Sequence, residues 1–500
     1  MATEHASAEA LVLAIDAGTT GVTALLVNRT ATVVARGYRE FPQHFPDDGW
    51  VEHDLAQVWT AVLGAVQDIS AGREADIVAV GLTNQRETLA IWDRETLGAA
   101  RPAIVWQDRR TATICQRLRD AGHEARVREL TGLRLDPYFT ATKAMWVRDH
   151  EPHVWSGIDT GRLAMGTMDS YLVARMSRGV DHITDATNAS RTLLYDLHTG
   201  RWSPELCELF GIPLSSLPDV VASYGHLSRT DPRTFVGIDA PITGIAGDQQ
   251  AALVGQACFT AGSAKCTYGT GSFLLMHTGD RPVMSSGGLL TTVALAHPDG
   301  RRDFALEGAV FVTGAAIQWL RDGLGIISGP EEIEALAASV PDAGGVVFVP
   351  ALTGLGAPAW DPSARGLIIG ITRGTTRAHL ARATLEAIAY QVRDVAELMV
   401  TDAGMTINQL AIDGGAAINN LLCQMQADAL QAPVNRSAEL QTTGLGAAFL
   451  AGLGAGLWES TAELATTRQT SGVFAPAACD AGALKRWHDA VQRSRHWTDT

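Results

Sequence analysis

Four short segments of the sequence combine glycines with polar residues, and three of them contain or adjoin an aspartate. The segments span residues 16–20, 244–250, 269–271 and 413–416. Backbone amides in such turns suit phosphate oxygens. A carboxylate at the end of a strand suits Mg²⁺, which prefers carboxylates and water as ligands. The pattern therefore indicates binding of a phosphorylated ligand with Mg²⁺, although an isolated aspartate such as Asp16 also commonly caps a turn.

The lysines exclude the most familiar nucleotide-binding loop. A Walker A loop needs Gly-Lys-Ser/Thr, because its lysine contacts the β- and γ-phosphates. The sequence has only Lys143, Lys265 and Lys485, and none of them follows a glycine. The His-Arg-Asp and Asp-Phe-Gly motifs of protein kinases are also missing. The chain is therefore neither a P-loop NTPase nor a protein kinase.

Predicted strands flank two of the glycine turns in the same way. Residues 11–16 and 22–27 are apolar and partly β-branched, which predicts a hairpin around the turn. Residues 265–268 and 272–276 repeat this pattern about 250 residues later, as expected for two related halves. A Rossmann or P-loop unit would continue from its glycine turn into a helix instead.

The remaining periodicity alternates between strand and helix. Residues 77–82 and 88–92 read as strands, and residues 380–400 have the apolar spacing of a helix. Residues 410–413 form a further predicted strand, and Asn419-Asn420 opens a helix. This mixture predicts α/β domains with mixed sheets.

Composition and charge narrow the class of protein. The chain of 500 residues is long enough for two large domains, and 46% apolar with 19% charged residues is an ordinary globular composition. A net charge of −15 without a Lys/Arg run predicts no nucleic-acid partner. The six cysteines are scattered without a Cys-x-x-Cys pair, which predicts reduced thiols in a cytoplasmic protein. No apolar run reaches the roughly 18 residues of a membrane span.

Longer stretches of the chain resemble the FGGY carbohydrate kinases, in which the four glycine segments occur in this order. The resemblance runs from about residue 11 to 490. Within the family, the chain is similar to the members that phosphorylate glycerol. The stretches that carry this similarity span residues 49–54, 83–88, 103–107, 136–139, 184–192, 244–252, 306–311 and 353–358.

The resemblance implies both a fold and an activity. The implied fold is the two-domain actin-like (ribonuclease-H-like) α/β ATPase fold, with mixed sheets and an interdomain cleft. The implied activity is ATP-dependent phosphorylation of glycerol to sn-glycerol 3-phosphate, the first step of glycerol catabolism. We expect a disordered N-terminus over residues 1–10 without a signal peptide, an N-terminal domain over 11–257 and a C-terminal domain over 258–500. The family also suggests a homodimer or homotetramer.

The resemblance assigns a polyol site. Arg86 and Glu87 would bind the hydroxyls, since a guanidinium and a carboxylate match the lone pairs and hydrogens of a triol. Both reach one ligand only if the chain leaves strand geometry there, because adjacent strand residues face opposite ways. Asp248 would be the catalytic base that orients the attacking hydroxyl. The other implied substrate ligands are Trp106 and Phe273, packed on the carbons, with Tyr138 and Gln249.

The resemblance also assigns the nucleotide and metal ligands. Asp16, with Asp248, would organise Mg²⁺, and Thr20 and Thr270 would contact phosphates from the two domains. Closure of the cleft would exclude water, which otherwise accepts the phosphoryl group. The implied nucleotide-binding residues are Thr19, Thr20, Gly21, Thr270, Gly314, Gln318, Gly415 and Asn419.

Two departures from the family pattern are visible. Thr23 stands where glycerol-phosphorylating members have an arginine that reaches toward the nucleotide phosphates, so the site has one positive charge fewer. Residues 233–239 replace a Gly-Gly-x-Arg loop that binds fructose 1,6-bisphosphate in some bacterial members. We expect little inhibition by that sugar bisphosphate through this loop, because an acid lies near the arginine position.

Two alternatives stay open at this stage. The chain could phosphorylate another small polyol or sugar, such as dihydroxyacetone, erythritol or xylulose. It could also be an actin-like scaffold that binds ATP without transferring a phosphoryl group. A scaffold has no need of the full set of acceptor-site residues, and this set separates the two classes.

Overall fold

The computed structural model describes residues 10–477 and 480–498. The predicted disorder of the N-terminus falls on residues 1–9, which lie outside this range, and on residue 10. None of the helices in the described residues combines the length and the apolarity that a bilayer span requires.

The first half of the chain contains the following strands and helices. The strands are β1 (Leu11–Ala17), β2 (Gly21–Asn28), β3 (Val33–Glu40), β4 (Glu52–His53), β5 (Ile77–Asn84), β6 (Ala90–Asp93), β7 (Ala103–Ile104), β8 (Leu163–Gly166), β9 (Ile183–Asp185), β10 (Tyr195–Asp196), β11 (Arg201–Trp202), β12 (Asp219–Val221), β13 (Tyr224–Arg229) and β14 (Pro241–Gly247). The helices are α1 (Leu55–Ser70), α2 (Ala112–Asp120), α3 (Glu124–Thr131), α4 (Thr140–His150), α5 (Pro152–Asp159), α6 (Met168–Met176), α7 (Ala186–Ala189), α8 (Pro204–Phe210) and α9 (Asp248–Gly255). Short 3₁₀ helices span Glu74–Asp76 and Leu214–Ser216.

The second half continues the numbering. Its strands are β15 (Ala264–Tyr268), β16 (Ser272–Gly279), β17 (Leu290–Ala296), β18 (Arg302–Val310), β19 (Val347–Val349), β20 (Leu367–Ile369), β21 (Leu410–Asp413), β22 (Val434–Ser437) and β23 (Thr470–Phe474). Its helices are α10 (Gly314–Asp322), α11 (Glu332–Ala338), α12 (Arg377–Ala403), α13 (Asn420–Leu430), α14 (Thr442–Gly454), α15 (Thr461–Thr467) and α16 (Ala481–Ser494). A 3₁₀ helix spans Gly415–Ile418.

Each half is built around a mixed sheet, and the central strands of the two sheets are arranged in the same way. The first has the order β13-β14-β5-β1-β2-β3, and the second has β17-β18-β16-β15-β21-β22-β23. In both, a hairpin (β1–β2 or β15–β16) is followed across the sheet by two strands parallel to its first strand. The predicted duplication and α/β class with mixed sheets are confirmed, because the two glycine turns close equivalent hairpins.

One helix joins the halves. Helix α14 follows the second half's parallel strands, yet it packs on α9 and on β14, β5 and β1 of the first sheet. Its apolar side chains, including Phe449 and Leu450, share a core cluster with Val12 and Leu25 of the first sheet. The first sheet is therefore covered on one face by a helix from the other half of the chain.

The predicted elements appear close to their expected positions. The strand over 410–413 is β21, and Asn419 caps α13 by accepting from the Leu422 amide. The helix over 380–400 extends to Arg377–Ala403, because Thr376 and His379 form a capping box at its start. The strand predicted over 88–92 begins later, at Ala90, since a turn occupies the preceding residues.

Candidate active site

The parallel strands of the first sheet bring two predicted carboxylates to one edge. Strands β1, β5 and β14 run parallel, with Asp16 opposite Thr83 and Gly247 opposite Asn84. Asp248 is the first residue of α9, immediately after β14. Burial and the neighbouring Asp248 carboxylate raise the pKa of Asp16 to about 7. The two acids therefore interact electrostatically at this edge.

This pair of acids fits Mg²⁺. Within residues 10–477 and 480–498, no group of three or more His, Cys, Asp or Glu side chains could hold a metal ion by itself. Mg²⁺ does not need such a cage, since it usually takes one or two carboxylates and completes its shell with water and phosphate oxygens. A divalent cation would also relieve the repulsion that raises the pKa of Asp16.

The chain leaves strand geometry at Arg86 and Glu87, as a ligand shared by these two residues would require. Glu87 has a φ of 63°, and the Thr88 amide donates to the Arg86 carbonyl at 2.8 Å. Thr140 Oγ1 and Lys143 Nζ hold the Glu87 carbonyl at 3.1 and 3.3 Å. This tight turn lets both side chains enter the same site.

The two side chains join an ion cluster, here called the acceptor-site cluster, which also contains Asp248, Glu307 and Arg191. Arg86 Nε forms an ion pair with Asp248 Oδ1 at 3.0 Å, and the terminal nitrogens of Arg86 donate to Glu307 at 2.6 and 3.0 Å. Arg191 donates to Glu87 Oε1 at 2.6 Å and to Glu307 Oε1 at 3.1 Å. The cluster ties Glu307 of the second sheet to both arginines of the first half.

Burial sets the charge states of this cluster. Arg86, Glu87, Arg191 and Glu307 are each at most 2% exposed. Burial alone would raise the pKa of Glu307, but Arg191 and Arg86 outweigh it and lower that pKa to about 2. Burial raises the pKa of Glu87. Glu307 is therefore the firmly ionised partner that both guanidinium groups share.

Arg191 and Glu307 were not assigned a role from the sequence. Both lie within stretches that carry the family resemblance, residues 184–192 and 306–311. The signal that could have identified them is a charged residue inside an otherwise apolar or small-residue stretch. Gly247 also matters here, because a Cβ at this residue would lie 2.7 Å from Arg86 Cγ and displace it.

Aromatic rings form one wall of the site. Trp106 and Tyr138 meet edge to face, with ring centroids 5.5 Å apart. Trp106 Nε1 donates to Thr19 Oγ1 at 3.0 Å, which ties this wall to the first glycine turn. Phe273 is half-buried on β16 opposite Thr267. Burial raises the pKa of Tyr138, so its hydroxyl stays protonated and can donate.

Gln249 lies beside the acceptor-site cluster. Its backbone amide donates to Asp248 Oδ1 at 2.7 Å, and its side-chain oxygen accepts from Lys265 Nζ. Lys265 also donates to Thr267 Oγ1 at 3.1 Å. These contacts connect the start of α9 to the strand that leads into the second glycine turn.

The first glycine turn exposes amides for a ligand. The backbone amides of Thr19 and Thr20 donate to none of the residues that the structure describes. Gln85 and Gln43 hold the carbonyls of Gly18 and Thr19 at 2.9 and 3.0 Å. Gly21, the remaining predicted residue here, is buried and closes the turn by accepting from the Gly18 amide.

The second glycine turn is joined to α10. The amides of Gly314 and Ala315 donate to the carbonyls of Gly269 and Thr270 at 3.0 and 3.1 Å. A Cβ at Gly314 would lie 2.7 Å from the Gly269 oxygen, so only glycine allows this approach. Thr270 and Gln318 are both exposed, and Gln318 lies one helical turn after Gly314 on the same face.

The last two predicted nucleotide residues follow β21. Because β21 runs parallel to β15, Gly415 and the second glycine turn lie at the same edge of the second sheet. Asn419 Oδ1 is used to cap α13, so only its amide group remains for a ligand. Asp413, the acid of this segment, is 2% exposed and accepts from Thr442. Its Oδ2 therefore contacts α14.

Comparison with known families covers most of the chain. Residues 11–255 match the N-terminal domain of the FGGY family of carbohydrate kinases, and residues 264–455 match its C-terminal domain. The predicted domains over 11–257 and 258–500 stay a prediction, and the C-terminal match ends at residue 455.

Individual relatives agree with the family match. A glycerol kinase from Gloeobacter violaceus is 51% identical over 499 residues, which is 99% of each chain. A glycerol kinase from Trichlorobacter lovleyi is 52% identical over 492 residues, 97% of this chain and 99% of its own. The crystal structure of Plasmodium falciparum glycerol kinase with ADP superposes with a TM-score of 0.93 at 32% identity, covering 97% of this chain and 98% of its own.

Proposed function

Because this chain belongs to the FGGY family of carbohydrate kinases, we propose that it transfers the γ-phosphoryl group of ATP to glycerol and forms sn-glycerol 3-phosphate. The observation that carries the proposal is the acceptor-site cluster in a chain with two glycine turns that suit phosphate oxygens. This arrangement occurs in a chain that is about half identical to named glycerol kinases over its whole length. An ATP-binding scaffold would not need that cluster.

In this proposal Asp248 is the base. Its Oδ1 forms an ion pair with Arg86 Nε at 3.0 Å and accepts from the Gln249 amide at 2.7 Å, while Oδ2 accepts from none of the described residues. Oδ2 is therefore the atom that receives the proton of the attacking hydroxyl. Burial raises the pKa of Asp248, which favours proton acceptance. Arg86 opposes this effect and keeps the carboxylate oriented.

The other hydroxyls of glycerol are held by side chains that still have free hydrogen-bond donors or acceptors. Glu87 Oε1 is engaged by Arg191, and Oε2 has no donor among the described residues, so Oε2 accepts from a hydroxyl. Tyr138 Oη and the Gln249 side-chain amide supply donors. Trp106 and Phe273 pack against the carbon chain, where apolar contact costs no hydrogen bond.

The nucleotide binds between the two glycine turns. The amides of Thr19, Thr20 and Thr270 contact phosphate oxygens, and the face of α10 that carries Gln318 lies toward the nucleoside. Gly415 and the side-chain amide of Asn419 line the same side of the nucleotide site. Asp16 and Asp248 would hold Mg²⁺. When bound, Mg²⁺ compensates the charge that develops on the transferring phosphoryl group.

The experiment that tests the function is an acceptor panel. We expect ADP release with ATP and glycerol, and a phosphate monoester on a terminal carbon by ³¹P NMR. Dihydroxyacetone, erythritol and xylulose serve as matched acceptors at equal concentration. If the protein phosphorylates one of these acceptors but not glycerol, the substrate assignment is wrong and the kinase class stands. Binding of ATP without transfer to any acceptor would support the scaffold reading.

Thr23 offers a direct test of the nucleotide site. It lies opposite Asp16 across the β1–β2 hairpin, next to the first glycine turn. An arginine there would reach the phosphates, so Thr23→Arg should lower the KM for ATP by about tenfold at most, the effect of one charged hydrogen bond. The KM for glycerol should not change. Thr30→Arg, at the exposed turn between β2 and β3, is the matched control. A rise in the KM for ATP would contradict the proposed path of the phosphates.

Regulation by fructose 1,6-bisphosphate is not part of the proposal. Arg233, at the loop in question, is paired with Asp231 at 2.5 Å, and Arg229 is paired with Asp239 at 2.7 Å. Both arginines are thus partly neutralised by acids on the same loop. The expected weak response to this anion stays a prediction.

We further propose that the protein works in the cytoplasm as a homodimer or homotetramer. The cysteines in the described residues are free and buried, which suits a reducing compartment. Light scattering after size-exclusion chromatography measures the oligomer directly. A monomer of 53.0 kDa at working concentrations would contradict the oligomer.

A further inference from the structure

Lys265 is a buried lysine to which neither the sequence nor the family match assigns a role. It lies on β15, between α9 of the first half and the second glycine turn, and its side chain is fully buried. Burying an ammonium group is costly unless nearby groups compensate its charge and accept its hydrogens. Such a residue therefore needs partners, and the partners indicate what it does.

The strand register places Lys265 between the two halves of the site. Glu307, Leu275, Lys265 and Ala411 lie in one row across β18, β16, β15 and β21. Since opposite residues on neighbouring strands share a face, Lys265 points to the same side of the sheet as Glu307 of the acceptor-site cluster. Two residues away along each strand, Phe273, Thr267 and Asp413 form the next row on that face.

The contacts of Lys265 fix an orientation. Its Nζ donates to Gln249 Oε1 and, at 3.1 Å, to Thr267 Oγ1. An ammonium group has only donors, so the oxygen of the Gln249 amide must face Lys265. The Nε2 group of Gln249 consequently points away from Lys265, and it donates to none of the residues that the structure describes. An oriented pair of donors is thereby left available next to Asp248.

We propose that Lys265 is a positioning residue that locks the side-chain amide of Gln249, so that Gln249 offers hydrogen-bond donors to an acceptor hydroxyl. The inference rests on the proposed function, and it specifies which end of the amide recognises the polyol. Without Lys265 the amide can rotate and present its oxygen, which competes with Asp248 for the same hydroxyl hydrogen.

The charges around Lys265 agree with this role. Burial lowers the pKa of Lys265, whereas Asp413, Asp248 and Glu307 oppose that decrease and favour the charged form. Three carboxylates of the second sheet and α9 thus partly offset the cost of burying this side chain. The hydrogen bonds of Lys265 nevertheless go to Gln249 and Thr267, so its side chain acts on the acceptor side through the Gln249 amide.

The test is glycerol binding by calorimetry in Lys265→Met, which keeps the length of the side chain and removes its donors. We expect the Kd for glycerol to rise about tenfold, as for loss of one oriented hydrogen bond, with the KM for ATP unchanged. Lys485→Met, at an exposed position on α16, is the matched control and should bind glycerol like the wild type. Gln249→Ala should also weaken glycerol binding, and adding Lys265→Met to it should have no further effect.

Several outcomes separate this inference from the proposed function. If the wild type phosphorylates glycerol and Lys265→Met binds glycerol with unchanged Kd, the inference is wrong and the function stands. Equal weakening in the wild-type and Gln249→Ala backgrounds would also refute it, because the effect would not pass through Gln249. Should Lys265→Met not fold, Gln249→Glu tests the same point with Lys265 intact. It keeps an acceptor for Lys265 but removes the Nε2 donors, so an unchanged Kd for glycerol would equally refute the inference.

Discussion

Asp248→Asn is expected to lower kcat by about 10²–10⁴-fold, the range of general-base catalysis, while glycerol and ATP still bind. The substitution keeps the shape of the side chain, and its oxygen can still lie beside Arg86 Nε and accept from the Gln249 amide. It replaces the free Oδ2 with an amide that cannot take a proton. The acceptor-site cluster therefore persists, and the loss falls on the transfer step.

The measurement combines turnover with direct binding. Steady-state kinetics give kcat, and calorimetry gives the Kd for glycerol and for ATP separately. Asp239→Asn is a matched control, since the Asp239 side chain is 58% exposed and, among the described residues, pairs only with Arg229 on the surface. Retained turnover in Asp248→Asn would show that another group is the base. A large loss of glycerol affinity would show instead that Asp248 mainly builds the pocket.

The local sequence pattern was sufficient to predict many of the strands, helices and turns of this protein. The hairpins around residues 17–21 and 269–271, and the strand over 410–413, are visible because apolar β-branched runs end at glycines. The turn at Glu87 was also foreseeable, since two adjacent residues cannot serve one ligand from a regular strand. These features depend on neighbours within a few positions of the chain.

Contacts between the halves could not be predicted in the same way. Arg86 and Glu307 are 221 positions apart, and their contact depends on which face of β18 points to the first half. The packing of α14 on the first sheet is similarly invisible, because its apolar residues would suit either sheet. Family resemblance supplied the residues of the site, but it assigned no role to the partners that hold them in place.

Glu307→Gln is the second substitution for which we expect a large effect. It tests whether the residues that hold Arg86 and Arg191 in place contribute to stability and activity. The substitution leaves Arg86 and Arg191, both buried, without the carboxylate that they share. Removing one partner of a buried ion pair costs about 3–5 kcal/mol, so we expect a lower urea midpoint of unfolding. We also expect kcat/KM for glycerol to fall by about 100-fold, because an inadequately paired Arg86 would hold Asp248 less well.

A surface pair provides the control for this prediction. Glu205 pairs with Arg126 at 2.7 Å, but both side chains are about half exposed, at 53% and 48%. Glu205→Gln should therefore cost less than about 1 kcal/mol and leave kcat/KM unchanged. If the two substitutions had equal effects, burial of the cluster would contribute nothing to stability or to kcat/KM. If Glu307→Gln destabilises the protein but keeps kcat/KM, the cluster joins the two halves without orienting Asp248. A joint loss would instead show that the contact between the halves also holds the base in place.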